Sequence, residues 1–223
     1  MEVFSRIMAA LMILILAPIF IFIFSGSILF QGFPVLFRQE RIGFQFIPFK
    51  VIKFRTMVVN NQKTSITIDG DDRITIWGSL LRHFKLDELP QLINVCKGEM
   101  RFIGPRPEVE EYVDIQEFSF LSRIKPGLSD FSSIIFRDEE RILSLLSGEH
   151  PYKDTILPLK VKLNQLYADN KSLTMDFKLA ALTLTSIVLP KSTKIFIISR
   201  IISPFNSELA NDLKNLLNNL NNS

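Results

Sequence analysis

From Ile7 to Phe30 the chain carries no charged residue, and Pro18 stands near the middle of this apolar run. About 20 apolar residues at a rise of 1.5 Å each cross the hydrocarbon core of a bilayer, so the segment must be buried in lipid or against protein. A signal peptide fits it poorly. Its apolar region would be about 7–15 residues, followed by small residues at a cleavage site. Here Ser25-Gly26-Ser27 leads back into Ile28-Leu29-Phe30, and the only basic residue ahead of the run, Arg6, is offset by Glu2. A proline inside a helix removes a backbone hydrogen bond and crowds the preceding turn. The run therefore reads as a retained membrane segment broken at Pro18, either a kinked spanning helix or a re-entrant hairpin of two short helices.

The rest of the chain has the size and charge of one ordinary domain. The protein is 223 residues long, 22% of them charged, with a formal net charge of +3. Between Gln31 and Asn60 the basic residues Arg38, Arg41, Lys50, Lys53 and Arg55 face one acid, Glu40. Directly after a membrane segment such a cluster favours the cytoplasmic side and anionic phosphates, and no nucleic-acid partner is expected. One cysteine, Cys96, excludes an internal disulfide. With two scattered histidines it makes neither a zinc site nor a thiol dyad.

The pattern predicts a mostly helical α/β domain with a small sheet. Pro34 to Gly43 and Pro48 to Met57 read as strands joined by a turn. Asn60 to Asp72 reads as an exposed loop. Thr75 can cap a helix to about Phe84, with Ile76, Leu80, Leu81 and Phe84 on one face. A second helix runs from Asp87, as its N-cap, to Gly98, which places Pro90 in the first turn. Met100 to Ile103 is extended and leads into Gly104-Pro105-Arg106-Pro107. A helix bearing Glu108, Glu110, Glu111, Asp114 and Glu117 on a solvated face is expected next. Tyr152 to Tyr167 and Asp176 to Leu189 come after it as helices, then a membrane-interfacial stretch at Ile195 to Ile202 and a fraying Asn-rich tail. The boundaries are residues 1–33 for the membrane helix, 34–190 for the catalytic domain and 191–223 for the interfacial segment and tail.

The chemistry concentrates at Asp87-Glu88. An Asp-Glu pair at a helix start is most simply a cap and a dipole complement. The same geometry attracts phosphate, so a cap and a carboxylate nucleophile are compatible. Arg82 lies five residues earlier. Arg106 stands between two prolines that pre-set its backbone for bidentate phosphate binding. Lys53 and Arg55 add positive charge, and Mg²⁺ held through a carboxylate, Asp87 or Glu88, is the usual companion of a pyrophosphate.

Lys53-Phe-Arg-Thr-Met57, Leu86-Asp-Glu-Leu-Pro-Gln-Leu92, Asn94-Val-Cys-Lys-Gly98 and Ile103-Gly-Pro-Arg-Pro107, in this order and spacing, resemble the signature blocks of the monotopic phosphoglycosyl transferases. Pro34-Val35 and Arg41-Ile42-Gly43 resemble the upstream block of that bacterial sugar transferase family. The chain looks like the short form, without a four-helix N-terminal region. The resemblance implies a re-entrant membrane helix broken at Pro18 and a ping-pong reaction at the cytoplasmic face of the bacterial inner membrane. Asp87 would attack the sugar-bearing phosphate of a nucleotide sugar, with a UDP sugar expected, and a polyprenyl (undecaprenyl) phosphate would then take the sugar phosphate. Glu88 would hold Mg²⁺ or accept a proton. Lys53, Arg82 and Arg106 match phosphate-binding positions, and downstream glycosyltransferases would use the product. The alternative is a catalytically silent scaffold of a glycan-assembly complex. Four positions depart from the family pattern: Ala17 for serine, Ser129-Asp130 for Thr-Gly, and Asn164 for Asp.

Overall fold

The computed structural model describes residues 2–59 and 67–221, except the side chains of Ile187, Pro190, Lys191, Ser192 and Asn221. The part of the expected loop at 60–66 lies outside the described residues. The apolar run forms two helices, α1 (Glu2–Ile15) and α2 (Ala17–Gln31), bent by 63°. Among the described residues no single helix is long and apolar enough to cross a membrane. The bend falls at Leu16, just ahead of Pro18, because Pro18 has no N–H for the carbonyl of Leu14 and sits in the first turn of α2.

Both arms rest on the domain at their far ends. Ala9 of α1 is buried with Val95 and Met100, and Glu2 pairs with Lys125 at 3.0 Å. On α2, Ile23 packs with Val35, Phe54 and Leu81. The Trp77 indole N–H donates to Ser27 Oγ at 3.1 Å, and the Gln31 amide donates to Thr75 Oγ1 at 2.9 Å. The apex carries exposed Leu14, Ile15, Ile21 and Phe22. An apolar wedge therefore projects from the protein with both its ends against the domain.

The expected hairpin is present: β1 (Leu36–Ile42) pairs antiparallel with β2 (Pro48–Phe54), Leu36 opposite Phe54 and Ile42 opposite Pro48. Next come α3 (Ile76–His83), capped by Thr75, whose Oγ1 accepts from the Gly78 N–H, and α4 (Gln91–Lys97), ended by Gly98 in the left-handed region. The strand β3 (Arg101–Ile103) pairs in parallel with β4 (Gly127–Ser129). The small sheet is thus two separate two-stranded ribbons among the described residues.

The remainder is helical: α5 (Phe131–Ile135), α6 (Glu139–Leu145), α7 (Leu157–Asp169) entered through a π-helical turn at Tyr152–Ile156, α8 (Leu173–Val188), α9 (Pro190–Phe196) and α10 (Ser207–Asn221). Phe120, Phe131, Ile135, Leu163, Tyr167 and Leu179 form the centre of the main core. Three expectations are corrected. The acidic helix after Pro107 is only a 3₁₀ turn at Glu110–Tyr112, and Glu108 is buried with Arg41 and Lys160 as partners. The α8 cap is Ser172, which accepts from the Met175 N–H, not Asp176. The Asn-rich tail, expected to fray, is the helix α10 as far as Asn221; in the Ile195–Ile202 stretch expected at the membrane interface, Ile195 and Phe196 are exposed while Ile197, Ile198, Ile201 and Ile202 are buried in the core. Leu209, Leu213, Leu216, Leu217 and Leu220 of α10 all join that core, a helical spacing that outweighs the low propensity of the intervening asparagines.

Candidate active site

A cleft of about 1550 Å³ opens between the β1–β2 hairpin, α3, the Pro-Arg-Pro turn and α6. Asp87, Glu88, Lys53, Arg55, Arg82 and Arg106 all line it. Local backbone explains how Asp87 reaches it. Lys85 adopts a left-handed conformation (φ 57°), Leu86–Glu88 form a 3₁₀ turn, and α4 begins only at Gln91 with Pro90 in the capping position and no side-chain cap. Asp87 is therefore not the N-cap that the sequence suggests. It lies one turn earlier, and the helix-dipole argument for its charge falls away.

Its environment is unusual. Asp87 is 8% exposed, and its Oδ1 is buried without a hydrogen-bond partner in the protein. Burial first, and Glu88 second, raise its pKa above the usual aspartate value, while Lys53, Lys85 and Arg82 pull the other way. Glu88 differs. Burial opposes its charge, but Arg106 and then Lys53 hold its carboxyl well below the usual range. Lys53 Nζ donates to Glu88 Oε1 at 3.0 Å. Arg106 grips both oxygens, through Nη1 to Oε2 at 3.2 Å and through Nη2 to Oε1. Burial lowers Lys53 from the usual lysine value, with Glu88 counteracting. One carboxylate is pinned by two cations, and its neighbour is left open.

The Pro-Arg-Pro turn is anchored by a buried carboxylate just past β4's far end. Asp130, 1% exposed, forms a capping box with Ser133 at the start of α5, and its Oδ2 accepts from the Arg106 N–H at 3.4 Å. In the sequence Asp130 stands out only as a departure from Thr-Gly, and its burial is what reveals it as a support for Arg106. Asn164, the other departure in this half, is 3% exposed with Oδ1 unpartnered in the protein.

Two expected phosphate ligands are placed differently. The Arg55 guanidinium donates to the carbonyls of Gln31 and Gly32 at 2.5 and 2.7 Å, closing the end of α2. It ties the apolar wedge to the cleft. Arg82 donates from Nε to Thr56 Oγ1 at 2.9 Å and from Nη1 to Glu140. The Glu140 side chain is 41% exposed, and so exposed a pair is worth about 0–1 kcal/mol, so a phosphate can take its place. Thr56, Lys85 and Glu140 line the cleft beside Arg82; the acidic Asp138-Glu-Glu140 run is the only signal in the sequence that could have flagged Glu140.

Among the described residues no group of three or more His, Cys, Asp or Glu is arranged to hold a metal. Mg²⁺ still fits in one way. It needs one or two carboxylates and takes its other ligands from phosphates and water, and the open Asp87 oxygen meets that need. Glu88 fits less well, since both its oxygens are taken by cations.

A profile of the family described as bacterial sugar transferase matches residues 1–190, which include this cleft and both arms of the wedge. The chain belongs to the bacterial sugar transferase family. This sugar transferase is 29% identical over 209 residues to the exopolysaccharide production protein ExoY of Sinorhizobium fredii, covering 85% of the chain and 86% of that protein. It is 33% identical over 159 residues to the uncharacterized sugar transferase EpsL of Bacillus subtilis, covering 70% and 71%. It is also 32% identical over 186 residues to the UDP-glucose:undecaprenyl-phosphate glucose-1-phosphate transferase of Escherichia coli, where the match covers 79% of the chain and 38% of the longer enzyme.

The geometry of the sugar transferase gives a first expected result. Arg106→Ala removes a bidentate partner from a buried carboxylate and a cation from the cleft. Binding of inorganic pyrophosphate in the cleft should weaken by about 1.5–3 kcal/mol, the scale for hydrogen bonds to charged groups. Arg123→Ala, at a side chain 53% exposed and paired with Asp169, should leave binding unchanged. Titration calorimetry on the two variants checks this, and equal affinities would reduce the turn to a structural corner.

Proposed function

We propose that this protein transfers a sugar-1-phosphate from a UDP sugar to polyprenyl (undecaprenyl) phosphate through a covalent intermediate on Asp87, as a membrane step of surface-glycan assembly. The observation that carries the reading is the open, buried Asp87 carboxylate oxygen beside Glu88, which is fixed by Lys53 and Arg106. In the first half-reaction an Asp87 oxygen attacks the sugar-bearing phosphorus. The bond from that phosphorus to the bridging oxygen breaks, and UMP leaves with the electron pair. In the second, an oxygen of the lipid phosphate attacks the same phosphorus and the Asp87 carboxylate departs. Splitting one displacement into two is the gain from a covalent carboxylate.

The chain's own groups have separable tasks. Arg106 and Lys53 hold the diphosphate side of the donor while keeping Glu88 charged and fixed. Arg82 exchanges Glu140 for phosphate. Mg²⁺, when bound through Asp87 with Glu88 nearby, supplies charge neutralisation for the leaving phosphate. Of the two roles open for Glu88, proton acceptance is disfavoured by its depressed pKa, and positioning of the two cations is its main task. A silent scaffold has no use for an unpartnered buried carboxylate in a large cleft. UMP release from a panel of UDP sugars, with membranes supplying the lipid phosphate, tests the reading; release from none of them removes it.

The wedge supports a reaction at the cytoplasmic face of the inner membrane. Its apolar apex suits the lipid, and both its ends rest on one domain. A re-entrant path needs its bend to keep backbone groups satisfied. Here Leu16 N–H bonds to Met12 O and Phe20 N–H to Leu16 O, both at 2.9 Å. These two bonds carry the backbone ladder across the break, where Pro18 leaves the carbonyl of Leu14 without its usual donor. Cysteines at Val3 and Phe33, both exposed, in a Cys96→Ser background should resist an impermeant thiol reagent in intact cells and react after permeabilisation. Reaction at position 3 alone in intact cells would mean a spanning helix.

A further inference from the structure

We propose that the cluster of Lys160, Glu139, Tyr152, Tyr112, Glu108 and Arg41 on the cleft wall is the subsite that recognises the sugar ring of the nucleotide-sugar donor. The inference rests on the transferase reading and deepens it.

Lys160 of α7 is 6% exposed. Its Nζ lies 2.5 Å from a Glu139 carboxylate oxygen and 3.7 Å from Glu108. It donates to the Tyr152 hydroxyl at 3.3 Å and stands 4.8 Å from the centre of that ring. The Tyr112 ring lies 5.0 Å from Tyr152, and Arg41 pairs with Glu108 at 3.3 Å. All six line the same cleft as Asp87. Burying so many charges gives little net stability, because desolvation offsets their attraction and an apolar packing of similar volume is often as stable. The value of the cluster therefore lies in what it presents to the cleft.

Position ties it to the phosphate site. Glu108 follows Pro107 on the turn that bears Arg106, and Arg41 also donates to the Pro107 carbonyl at 3.3 Å. A donor whose diphosphate sits at Arg106 and Lys53 has its attached group beside this wall. The chemistry selects a polyhydroxylated ring. Carboxylates accept from hydroxyls, an ammonium donates to them, and aromatic faces pack on the ring's C–H surface. A nucleobase would need only one or two edge contacts and a stacking partner. Within the cluster Glu139 is the wet member, with a side chain 30% exposed against 8% for Glu108. Glu139 and the half-buried Tyr112 therefore meet the sugar, while Tyr152, 4% exposed, backs Tyr112 and Lys160, and Glu108 with Arg41 holds the turn.

The test uses the full-length protein carrying Asp87→Asn, so that no turnover intervenes. Calorimetry with Mg²⁺ present compares UDP, UDP-glucose, UDP-galactose and UDP-N-acetylglucosamine. At least one UDP sugar should bind more tightly than UDP. Glu139→Gln should reduce that advantage by about tenfold, the effect of one lost hydrogen bond in a desolvated site; Tyr112→Leu, which removes an aromatic face, should reduce it as well, and both should leave UDP itself unchanged. Lys160→Met strips the counter-charge from two carboxylates and endangers the fold, so the conservative variants carry the test. Equal losses for UDP and UDP sugars would make the cluster a nucleoside contact and overturn the proposal, as would unaltered UDP-sugar affinity. Binding of none of the four, by the Asp87→Asn protein and by the wild type alike, would remove the transferase reading itself.

Discussion

Asp87→Asn should lower UMP release by on the order of 10⁴-fold or more, the scale seen when a covalent nucleophile is removed, while the protein stays folded. Asparagine matches aspartate in shape, and Asp87 Oδ1 makes no hydrogen bond in the protein that the substitution could break. The charge it removes is one that burial disfavours. A carboxyl whose folded-state pKa lies above the unfolded one favours folding at low pH and loses that contribution as pH rises through the folded value. Near neutral pH the asparagine variant should therefore melt at the wild-type temperature or above it. Under the proposed covalent mechanism activity has the opposite pH dependence, since attack would need the carboxylate. Covalent capture should fall on acidification, with a midpoint above the ordinary aspartate range. Incubation with a UDP sugar radiolabelled in the sugar, followed by denaturing electrophoresis, reads this directly. Label on wild type and none on the variant is the expected pattern; equal label on both would end the covalent role.

Local signals carry much of this site, and distant partners carry the rest. The bend near Pro18, the Thr75 cap and the Gly98 terminator are legible in the sequence because each depends on one residue and its neighbours. The two-strand hairpin is legible from its alternation and turn. Asp87 as a helix cap is a sound local reading that fails because Lys85 takes a left-handed conformation and delays the helix to Gln91. No residue near Asp87 announces that. Glu108 looks solvated in the sequence, since its partners Arg41 and Lys160 are remote and only the fold brings them to it. Arg55 looks like a phosphate ligand because charge alone cannot show that the last carbonyls of α2 claim it. The cationic array around Glu88 follows from the signature blocks, but its pinning by two cations with Asp87 left open is a property of packing.

Gly127→Ala should cost about 1–3 kcal/mol of stability, the range for forced overpacking, and weaken donor binding with it. A Cβ at Gly127 would stand 2.1 Å from the Gly104 nitrogen and 2.5 Å from its carbonyl oxygen. Both are backbone atoms in a parallel ribbon and cannot swing aside. Gly104 faces the same constraint, since its own Cβ would meet the Lys125 carbonyl oxygen at 2.6 Å. The two glycines let β3 and β4 approach closely enough for Gly104 N–H to reach Ser129 O at 3.1 Å and Gly127 N–H to reach Pro105 O at 2.9 Å. These bonds fix the residue immediately ahead of Arg106. Pushing the strands apart must therefore move the Arg106 guanidinium relative to Glu88, which has little slack between Arg106 and Lys53. Gly148→Ala, away from the cleft, is the comparison: its φ of +135° strains an alanine, but nothing lies within 4 Å of the new Cβ, so only backbone strain of about 1–3 kcal/mol remains. Both variants lose stability, but Gly127→Ala alone should raise the KM for the UDP sugar. Thermal melts and initial rates on the pair decide it: a Gly127→Ala protein with wild-type KM would mean that the ribbon does not position Arg106.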